Sequence, residues 1–548
     1  ALYGDAAIGG VVNLVTNGQN LETTTAQLTA GSFGLVTGEF SQRADRYTVY
    51  GGIRRLGGYR ESSDRQYARI GASYDVLRSA TRRLTASTLH SLRNYDDPGA
   101  LTGEQVEADR RQQALPFRFD GLDERTHRIG LDGRQTTAWG EARVAFAADY
   151  RAADLLRTLP LAATFFDTKR RETEAGRLFA SVQTEFGNLP LGGRFIVGVD
   201  GTLGQLDSEY RLVNLGPPEA YLGELDPESG EIDRDGNATR RALAGFAQLD
   251  LNPADAIRIT LGARADGLSD RYTPDVPSDG ETLSTDNSAI SPKVGINVRY
   301  AQTATQLGRL YVSASRSFKA PTLDQLYDQR TYFFSPEIPP ITISNGELKP
   351  QTGVGIEAGA YHRVELSRDV AIEASVSAYR IDMENELDFS FEILRFVNVA
   401  ESRHDGIEVG LKAYGPRGLS VFGNWTRQDV TFANGPNEGN AVKAIPRDFF
   451  SGGVTGEIAR GVFGSLLVTS ARTIFLDDAN VVRLPDYTVA NLRLGYRIGG
   501  AELLLNLYNV LDASYSATGF PDPAGSDVAF FYPAAGRTFE AGLRLQLR

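Results

Sequence analysis

Four aromatic side chains stand close together in one polar segment, and they have the clearest capacity to bind a ligand. The segment "LYDQRTYFFSPEIPP" contains Tyr327, Tyr332, Phe333 and Phe334. Aromatic rings in a loop can stack on a planar ligand, and a tyrosine oxygen can ligate haem iron. No histidine stands between Pro321 and Ser344, which disfavours haem. The alternative is that the rings only pack the loop, and the sequence leaves both interpretations open.

A second segment, "GEIDRDGNATR", carries carboxylates at the spacing of a calcium-binding loop. Glu231, Asp233 and Asp235 alternate ahead of Gly236, as the first ligands of such a loop do. The twelfth position is Ala242 rather than the glutamate that completes the site. A loop calcium is therefore an incomplete match, and a solvated acidic turn is the alternative. No other cofactor is expected.

Enzyme signatures are absent from the sequence. It contains no G-x-S-x-G, no G-x-x-x-x-G-K-[ST] and no H-E-x-x-H. The four histidines, His90, His127, His362 and His404, are scattered without metal-ligand spacing. We expect His127, His362 and His404 to lie near strand ends, in a girdle or on the lumen face, and we expect no catalytic activity.

The composition excludes several classes of protein. The net charge of -12 is the opposite of the basic surface that nucleic acid requires, so no nucleic-acid partner is expected. No run of 18 apolar residues occurs, which excludes a transmembrane helix. Cysteine is absent, which excludes disulfides and thiolate metal sites.

Strict alternation of apolar and polar residues is the dominant pattern along the chain. In "YARIGASYDV" one face carries Ala68, Ile70, Ala72, Tyr74 and Val76, and the other carries Arg69, Gly71, Ser73 and Asp75. The segments "VAIEASVSA" and "TVANLRLGYRI" repeat this pattern. A period of two over this length predicts strands that are apolar on one face only.

Short and long connections alternate between the predicted strands. Tight turns such as "QRADR" and "GPRG" alternate with long polar connections near Asn94–Arg125, Ser208–Thr239, Ser317–Pro350 and Leu511–Ala535. Long loops at every second connection would all project from one end of a sheet. A transmembrane barrel has this arrangement, with lipid on the apolar face and a polar lumen inside. The sequence therefore predicts an all-β, antiparallel transmembrane β-barrel of 22 strands rather than a soluble sandwich.

Several segments resemble, in the family's order, TonB-dependent outer-membrane receptors. "ALYGDAAIGGVVNLVT" resembles the end of that family's plug domain, and "SRSFKAPTLDQLY" its FRAP-like box, with Lys319 in place of arginine. "SNGELKPQ" resembles the NPNL-type box that follows it. "VNVAESRHDGIEVGL", "LNLYNVLDASY" and "YPAAGRTFEAGLRLQL" resemble the family's closing strands.

The resemblance implies a division at residue 20, with the end of a plug at 1–20 and the barrel at 21–548. It implies a bacterial outer-membrane location, contact with outer-membrane lipid, and a monomer. It also implies active uptake of a scarce, bulky nutrient, with a ferric siderophore or other iron complex favoured. Energy would come from the TonB complex through a TonB box that this chain does not contain. The alternative is a passive porin-like channel or a structural or adhesin barrel.

Polar-face arginines are the remaining candidates. Arg69, Arg493, Arg497 and Arg544 would line the lumen. They would contact plug acids or steer an anionic cargo, or they would pair with neighbouring carboxylates. Because the family's barrels end on a lipid-facing aromatic residue, the last strand predicts one further residue, Phe, after Arg548.

Overall fold

The computed structural model describes residues 22–224, 226, 230–332, 341–390, 393–399 and 401–547. The predicted plug remnant at 1–20 and the predicted chain end at Arg548 lie outside these residues. The division at residue 20 therefore stays a prediction.

One closed antiparallel sheet of 22 strands forms the molecule. Its strands, numbered β1 to β22 in chain order, are Thr23–Gly31, Leu35–Arg43, Tyr47–Leu56, Arg65–Arg78, Arg82–Asp96, Gly121–Thr137, Gly140–Ala162, Phe165–Leu189, Gly193–Gly216, Ile232–Ala254, Ile257–Val276, Leu283–Gln302, Gln306–Lys319, Gln351–Ser367, Val370–Glu384, Ser402–Tyr414, Ser420–Phe432, Asp448–Ala459, Val462–Arg472, Tyr487–Ile498, Ala501–Tyr508 and Thr538–Leu547. The first strand pairs with both β2 and β22, which closes the barrel. The predicted fold is confirmed.

Among the residues that the structure describes, the short elements lie in the connections between the strands. Two helices, α1 (Gly103–Ala108) and α2 (Leu323–Tyr327), join 3-10 turns at Ser32–Gly34, Leu115–Phe117, Pro190–Gly192, Pro218–Tyr221 and Pro416–Gly418. Three short strand pairs are Thr331–Tyr332 with Ile341–Thr342, Glu386–Ser390 with Arg395–Val399, and Ile474–Phe475 with Arg483–Leu484. A small three-stranded sheet consists of Leu101–Thr102, Ser516–Pro521 and Ala529–Pro533. Within the described ranges, no helix is both long and apolar enough to cross a membrane.

The apolar face of each strand points away from the barrel axis. On β4, Ile70 and Tyr74 are 53% and 49% exposed, although side chains of this type normally avoid water. In the closing pair, Leu543 faces Leu28 and Leu545 faces Ala26, so the apolar surface continues across the closure. Exposed Trp139 packs on Phe186 beside an inner turn, with ring centroids 5.2 Å apart. An outward apolar band with aromatic residues at its edge is typical of a lipid-facing barrel wall.

Four neighbouring strands, β7 to β10, are much longer than a membrane requires. They contain 23 to 25 residues each, whereas about 9–11 residues cross a bilayer. Their outer halves therefore stand beyond the membrane. The connection predicted at Ser208–Thr239 is wrong in extent, because β9 continues to Gly216 and β10 begins at Ile232. Above the membrane neither face needs to be apolar, so the sequence pattern there resembles a loop.

The buried core lies inside the outer part of the barrel. Tyr272 and Ala238 from the wall pack there against Leu326, Tyr327 and Leu348 from the β13–β14 connection. Apolar packing therefore holds Leu326, Tyr327 and Leu348 of this long connection, which joins β13 to β14, against the inner wall.

Candidate functional site at the outer mouth

The β13–β14 connection begins with a locally determined turn. β13 ends at Lys319, two residues before Pro321. Proline has no backbone N–H and therefore cannot continue a ladder of hydrogen bonds. Helix α2 then starts with a capping box: the Thr322 hydroxyl accepts from the Gln325 backbone N–H at 3.2 Å, and the Gln325 side chain accepts from the Thr322 N–H at 2.9 Å. This box fixes where α2 begins, and therefore where its one acidic residue, Asp324, lies.

Arg171 on β8 joins the wall to this connection. Its guanidinium pairs with Asp324 and lies 3.6 Å from an oxygen of Asp328. It also donates to the Ser208 hydroxyl at 3.1 Å and stands over the ring of Tyr210 at 5.2 Å. A single buried arginine on β8 therefore contacts the neighbouring strand β9 and two positions of the connection.

Arg330 completes the network from within the connection. It donates to both carboxylate oxygens of Asp328, at 3.0 and 2.6 Å, and Asp328 is only 2% exposed. Burial alone would raise the pKa of Asp328, but the charges of Arg330 and Arg171 bring it below its ordinary value. Asp328 is consequently an ionised carboxylate in a buried place.

Lys169, two residues before Arg171, makes a second bridge. Its ammonium lies 3.0 Å from Asp233 on β10, and Asp233 also accepts from the Thr331 hydroxyl at 3.0 Å. Asp233 was predicted to be a calcium ligand, and the structure places it in this ion pair, with Glu231 just before β10 and Asp235 within the strand. Across the described part of the chain, no three or more acidic or histidine side chains are grouped to hold a metal ion.

Several polar atoms at the mouth are buried and have no hydrogen-bond partner among the residues that the structure describes. These are both carboxylate oxygens of Asp167, the Tyr210 hydroxyl and the Arg171 Nε. Burial is the main cause that raises the pKa of Asp167, which lies near the outer tip of β8, to about 7. Unpartnered buried polar groups are costly to keep, so their concentration here marks this region as a candidate site for polar groups of a ligand.

The predicted aromatic residues lie in the same region. Tyr327 stacks on Tyr272 with centroids 5.6 Å apart and donates to Thr285 at 3.2 Å. Tyr332 is 3% exposed and packs among Leu161, Ile343 and Leu394, and burial raises its pKa. In this structure both tyrosines hold the connection in place, while Phe333 and Phe334 lie outside the described residues. Ligand stacking by these residues stays a prediction.

Three of the four predicted lumen arginines stand around one carboxylate, Glu502, and Arg69 lies elsewhere on the wall. Arg69 lies 3.2 Å from Glu39, and Glu502 is reached by both Arg493, at 3.7 Å, and Arg497, at 3.1 Å. Arg544 faces Glu502 in the strand register. These contacts match the alternative in which lumen arginines pair with neighbouring carboxylates.

The network of Arg171, Asp324, Asp328 and Arg330 is hard to predict from the sequence. Arg171 and Asp328 are far apart in sequence, and each has an ordinary local context. The one available signal is "DQR" at 328–330, in which a carboxylate and a guanidinium are separated by a single residue beside the predicted aromatic cluster.

Comparisons with known proteins agree with this architecture. The model of the family described as "TonB dependent receptor-like, beta-barrel" matches residues 27–510. The chain belongs to this family. The Rhizobactin receptor of Rhizobium meliloti (strain 1021) is 24% identical to it over 331 residues, which are 55% of this chain and 43% of that receptor. The match thus spans less than half of the length of this curated relative.

Solved structures of TonB-dependent receptors share the fold. The ferric citrate transporter FecA in its unliganded form superposes with a TM-score of 0.77 at 16% identity, covering 100% of this chain and 82% of that chain. The ferric yersiniabactin uptake receptor FyuA from Yersinia pestis gives 0.76 at 15%, covering 100% and 83%. The ferripyoverdine receptor of Pseudomonas aeruginosa gives 0.76 at 13%, covering 97% and 72%. At these identities the likeness concerns the fold.

Proposed function

We propose that the complete protein imports a ferric siderophore or a similar iron complex across the outer membrane of a Gram-negative bacterium. The cargo enters from the side of the long connections, and the TonB complex supplies the energy. The observation that carries the proposal is a closed 22-stranded barrel of the TonB-dependent receptor family whose outer mouth holds unpartnered polar groups beside a charged connection.

Relatives support the choice of cargo. The curated relative is named a receptor for rhizobactin, and the solved structures include receptors for ferric yersiniabactin and ferripyoverdine. The mouth is suited to a polar, partly aromatic compound because tyrosine rings, arginines and carboxylates meet there. A calcium ion at Glu231, Asp233 and Asp235 is not part of the proposal, since Asp233 is already paired with Lys169.

Growth under iron limitation tests the function. A strain without the gene is grown with single iron sources: catecholate, hydroxamate, citrate-type and pyoverdine-type siderophores and haem. We expect the complete gene to restore growth on one siderophore class in a strain with TonB and to fail in one without it. Rescue that does not depend on TonB would contradict the proposal and favour a passive channel.

The mouth is tested with Tyr210→Phe, which removes one unpartnered hydroxyl and keeps the ring. No protein hydrogen bond is lost, so barrel assembly should be unchanged. If the hydroxyl binds cargo when the connection opens, uptake of the iron source should fall several-fold. The matched control is Tyr379→Phe on β15, six strands away from β9, whose hydroxyl donates to Gln428 at 3.1 Å; it should leave uptake unchanged. Equal uptake by both variants and the natural protein would remove Tyr210 from the site.

A further inference from the structure

Arg171 uses only part of its guanidinium to hold the β13–β14 connection. Asp324 accepts from Nη2 alone, and Nε, which lies on the same edge of the guanidinium, is buried with no partner in the described ranges. On β10 the equivalent edge is fully used, because Arg240 donates from Nε and Nη2 to the two carboxylate oxygens of Asp270, both at 2.7 Å. One of the two positions at which this edge of Arg171 can hold a carboxylate oxygen is therefore vacant.

A second vacant donor lies beside the first. Tyr210 faces Arg171 directly in the register of β8 and β9, and its ring centroid lies 5.2 Å from the guanidinium carbon. Its hydroxyl is also buried and is not hydrogen-bonded to any described residue. Burial is the main cause that raises the pKa of Tyr210 well above its ordinary value, so the hydroxyl keeps its proton and can donate. Two buried donors, one of them on a cation, thus lie side by side without an acceptor.

The connection does not supply the missing acceptor. The capping box at Thr322 and the packing of Leu326 against the wall fix the position of α2, so Asp324 reaches only Nη2. Asp328 lies 3.6 Å from Nη1, on another side of the guanidinium, and is bound to Arg330 at 2.6 Å. Neither of these carboxylates reaches Nε while α2 is docked.

Asp324 is the exchangeable member of the network. Its side chain is 51% exposed, whereas those of Arg171 and Asp328 are 10% and 2% exposed. A half-exposed carboxylate loses little when it returns to water, and another carboxylate in its place leaves the number of buried charges unchanged. The incoming group can accept from Nε as well as Nη2 and from the Tyr210 hydroxyl. A free carboxylate therefore makes hydrogen bonds at Arg171 that Asp324 does not make.

We propose that Arg171 and Tyr210 form a binding site for a free carboxylate of the cargo, and that α2 closes this site in the present structure. The carboxylate displaces Asp324, accepts from Nε and Nη2 of Arg171 and from the Tyr210 hydroxyl, and so releases α2 from the wall. A ligand shifts such an equilibrium only when it binds one state more tightly. The vacant donors provide this difference, because they are inaccessible while α2 is docked.

The inference rests on the proposed function and names the charged group that the cargo presents. The cargo is an iron complex with a carboxylate that does not bind the iron. A planar carboxylate fits the edge of a guanidinium with two parallel hydrogen bonds, so a neutral complex lacks the group that competes with Asp324.

Binding of a small carboxylate to the full chain in a non-ionic detergent tests the site whatever the cargo is. The probe is para-fluorobenzoate, the neutral comparison of similar shape is para-fluorobenzamide, and fluorine NMR follows both. We expect saturable binding of the benzoate alone. In Asp324→Asn the competing group is uncharged, so affinity for the benzoate should rise several-fold. In Tyr210→Phe one donor is lost, and affinity should fall about tenfold.

Asp405→Asn is the matched control for the change at Asp324. Asp405 is 40% exposed and lies 2.6 Å from Arg380 on the β15–β16 pair, so the same substitution there should leave the affinity for the benzoate unchanged. Hydrogen exchange followed by mass spectrometry gives a second readout, in which the benzoate, and not the amide, should speed exchange in α2. A purely structural role of Asp324 would speed exchange in Asp324→Asn without tightening the binding of the benzoate.

Three results would overturn the proposal: equal binding of the benzoate and the amide, weaker or unchanged benzoate binding in Asp324→Asn, or unchanged binding in Tyr210→Phe. Growth under iron limitation separates it from the proposed function. We expect TonB-dependent rescue by an iron complex that carries a free carboxylate. TonB-dependent rescue by neutral trihydroxamate complexes alone would overturn the carboxylate site and leave the proposed function standing. Benzoate binding as expected, together with rescue that does not need TonB, would contradict only the proposed function.

Discussion

The outer mouth and the lumen wall are built from the same ion pairs in different surroundings. On the lumen wall, Asp149 lies between Arg128 and Arg177, and these two arginine side chains are 55% and 53% exposed. At the mouth, Asp328 lies between Arg171 and Arg330, whose side chains are 10% and 16% exposed. Exposed pairs contribute little to stability, whereas removal of one partner from a buried pair leaves an uncompensated charge. Arginine–aspartate pairs therefore contribute little to stability on the exposed lumen wall, whereas at the mouth they fix the position of the β13–β14 connection.

The largest effect is expected from Arg171→Met, which keeps much of the side-chain volume and removes the charge. Asp324, which is half-exposed, loses its partner and Asp328 keeps Arg330, so docking of the connection should be weakened by about 1.5–3 kcal/mol. Limited proteolysis in detergent should cut residues 320–350 rapidly, while heat-modifiable migration shows an intact barrel. Unchanged protection of the connection would show that Arg171 does not hold it.

A pH dependence should follow from Asp167. Burial raises its pKa to about 7, and the charge of Lys169 only partly opposes this. The folded protein therefore keeps a proton that the unfolded chain, with a pKa near 3.8, has lost. Stability at the mouth should fall as pH rises from about 4 to about 7 and should then level off.

Asp167→Asn isolates that contribution. The variant should melt at a higher temperature than the natural protein at pH 8, with a smaller difference at pH 5. Part of the pH dependence should remain, because burial also raises the pKa of Asp120, in the β5–β6 connection, to about 7. A natural protein that gains apparent stability between pH 5 and pH 7 would contradict the assignment.

Tyr327→Phe should have a moderate effect. The ring keeps its stacking on Tyr272, and only the hydrogen bond to Thr285 is lost, which is worth about 1 kcal/mol. Proteolysis of the connection should therefore be several-fold faster than in the natural protein and much slower than in Arg171→Met. Cleavage as fast as in Arg171→Met would mean that the Tyr327–Thr285 hydrogen bond, and not the ion-pair network, keeps the connection docked.

The smallest effect is expected from Arg177→Met on the lumen wall. Asp149 keeps Arg128 as a partner, and both arginines are half-exposed, so we expect less than about 1 kcal/mol. The apparent melting temperature should stay within a few degrees of the natural value. A loss as large as that of Arg171→Met would remove the contrast between the two regions.

The membrane-facing half of the molecule can be predicted from the sequence because lipid imposes a period of two. The alternation in "YARIGASYDV" indicates which residues of β4 face outward, and Ile70 and Tyr74 do so. The outer halves of β9 and β10 could not be recognised in this way. No lipid constrains them, so the strict alternation of apolar and polar residues is lost there.

The mouth was only partly predictable for a different reason. The capping box at Thr322 is local and can be recognised from the sequence. The aromatic cluster indicated that the β13–β14 connection belongs to the candidate site. The wall partners of Tyr327 and Tyr332 come from β7, β11 and β12, and their proximity depends on strand register and on the inward fold of the connection. The His90–His127 pair was missed likewise, since only the β5–β6 register brings the two rings together.

Neighbouring residues on β4 test the central claim, which is that the apolar face of each strand meets lipid and the polar face encloses the lumen. The chain has no cysteine, so spin labels can be placed singly at Ile70→Cys and Arg69→Cys in the membrane-reconstituted protein. We predict that dissolved oxygen relaxes the label at position 70 more strongly and that a water-soluble nickel chelate relaxes the label at position 69 more strongly. Equal relaxation of both labels by the nickel chelate would contradict the account.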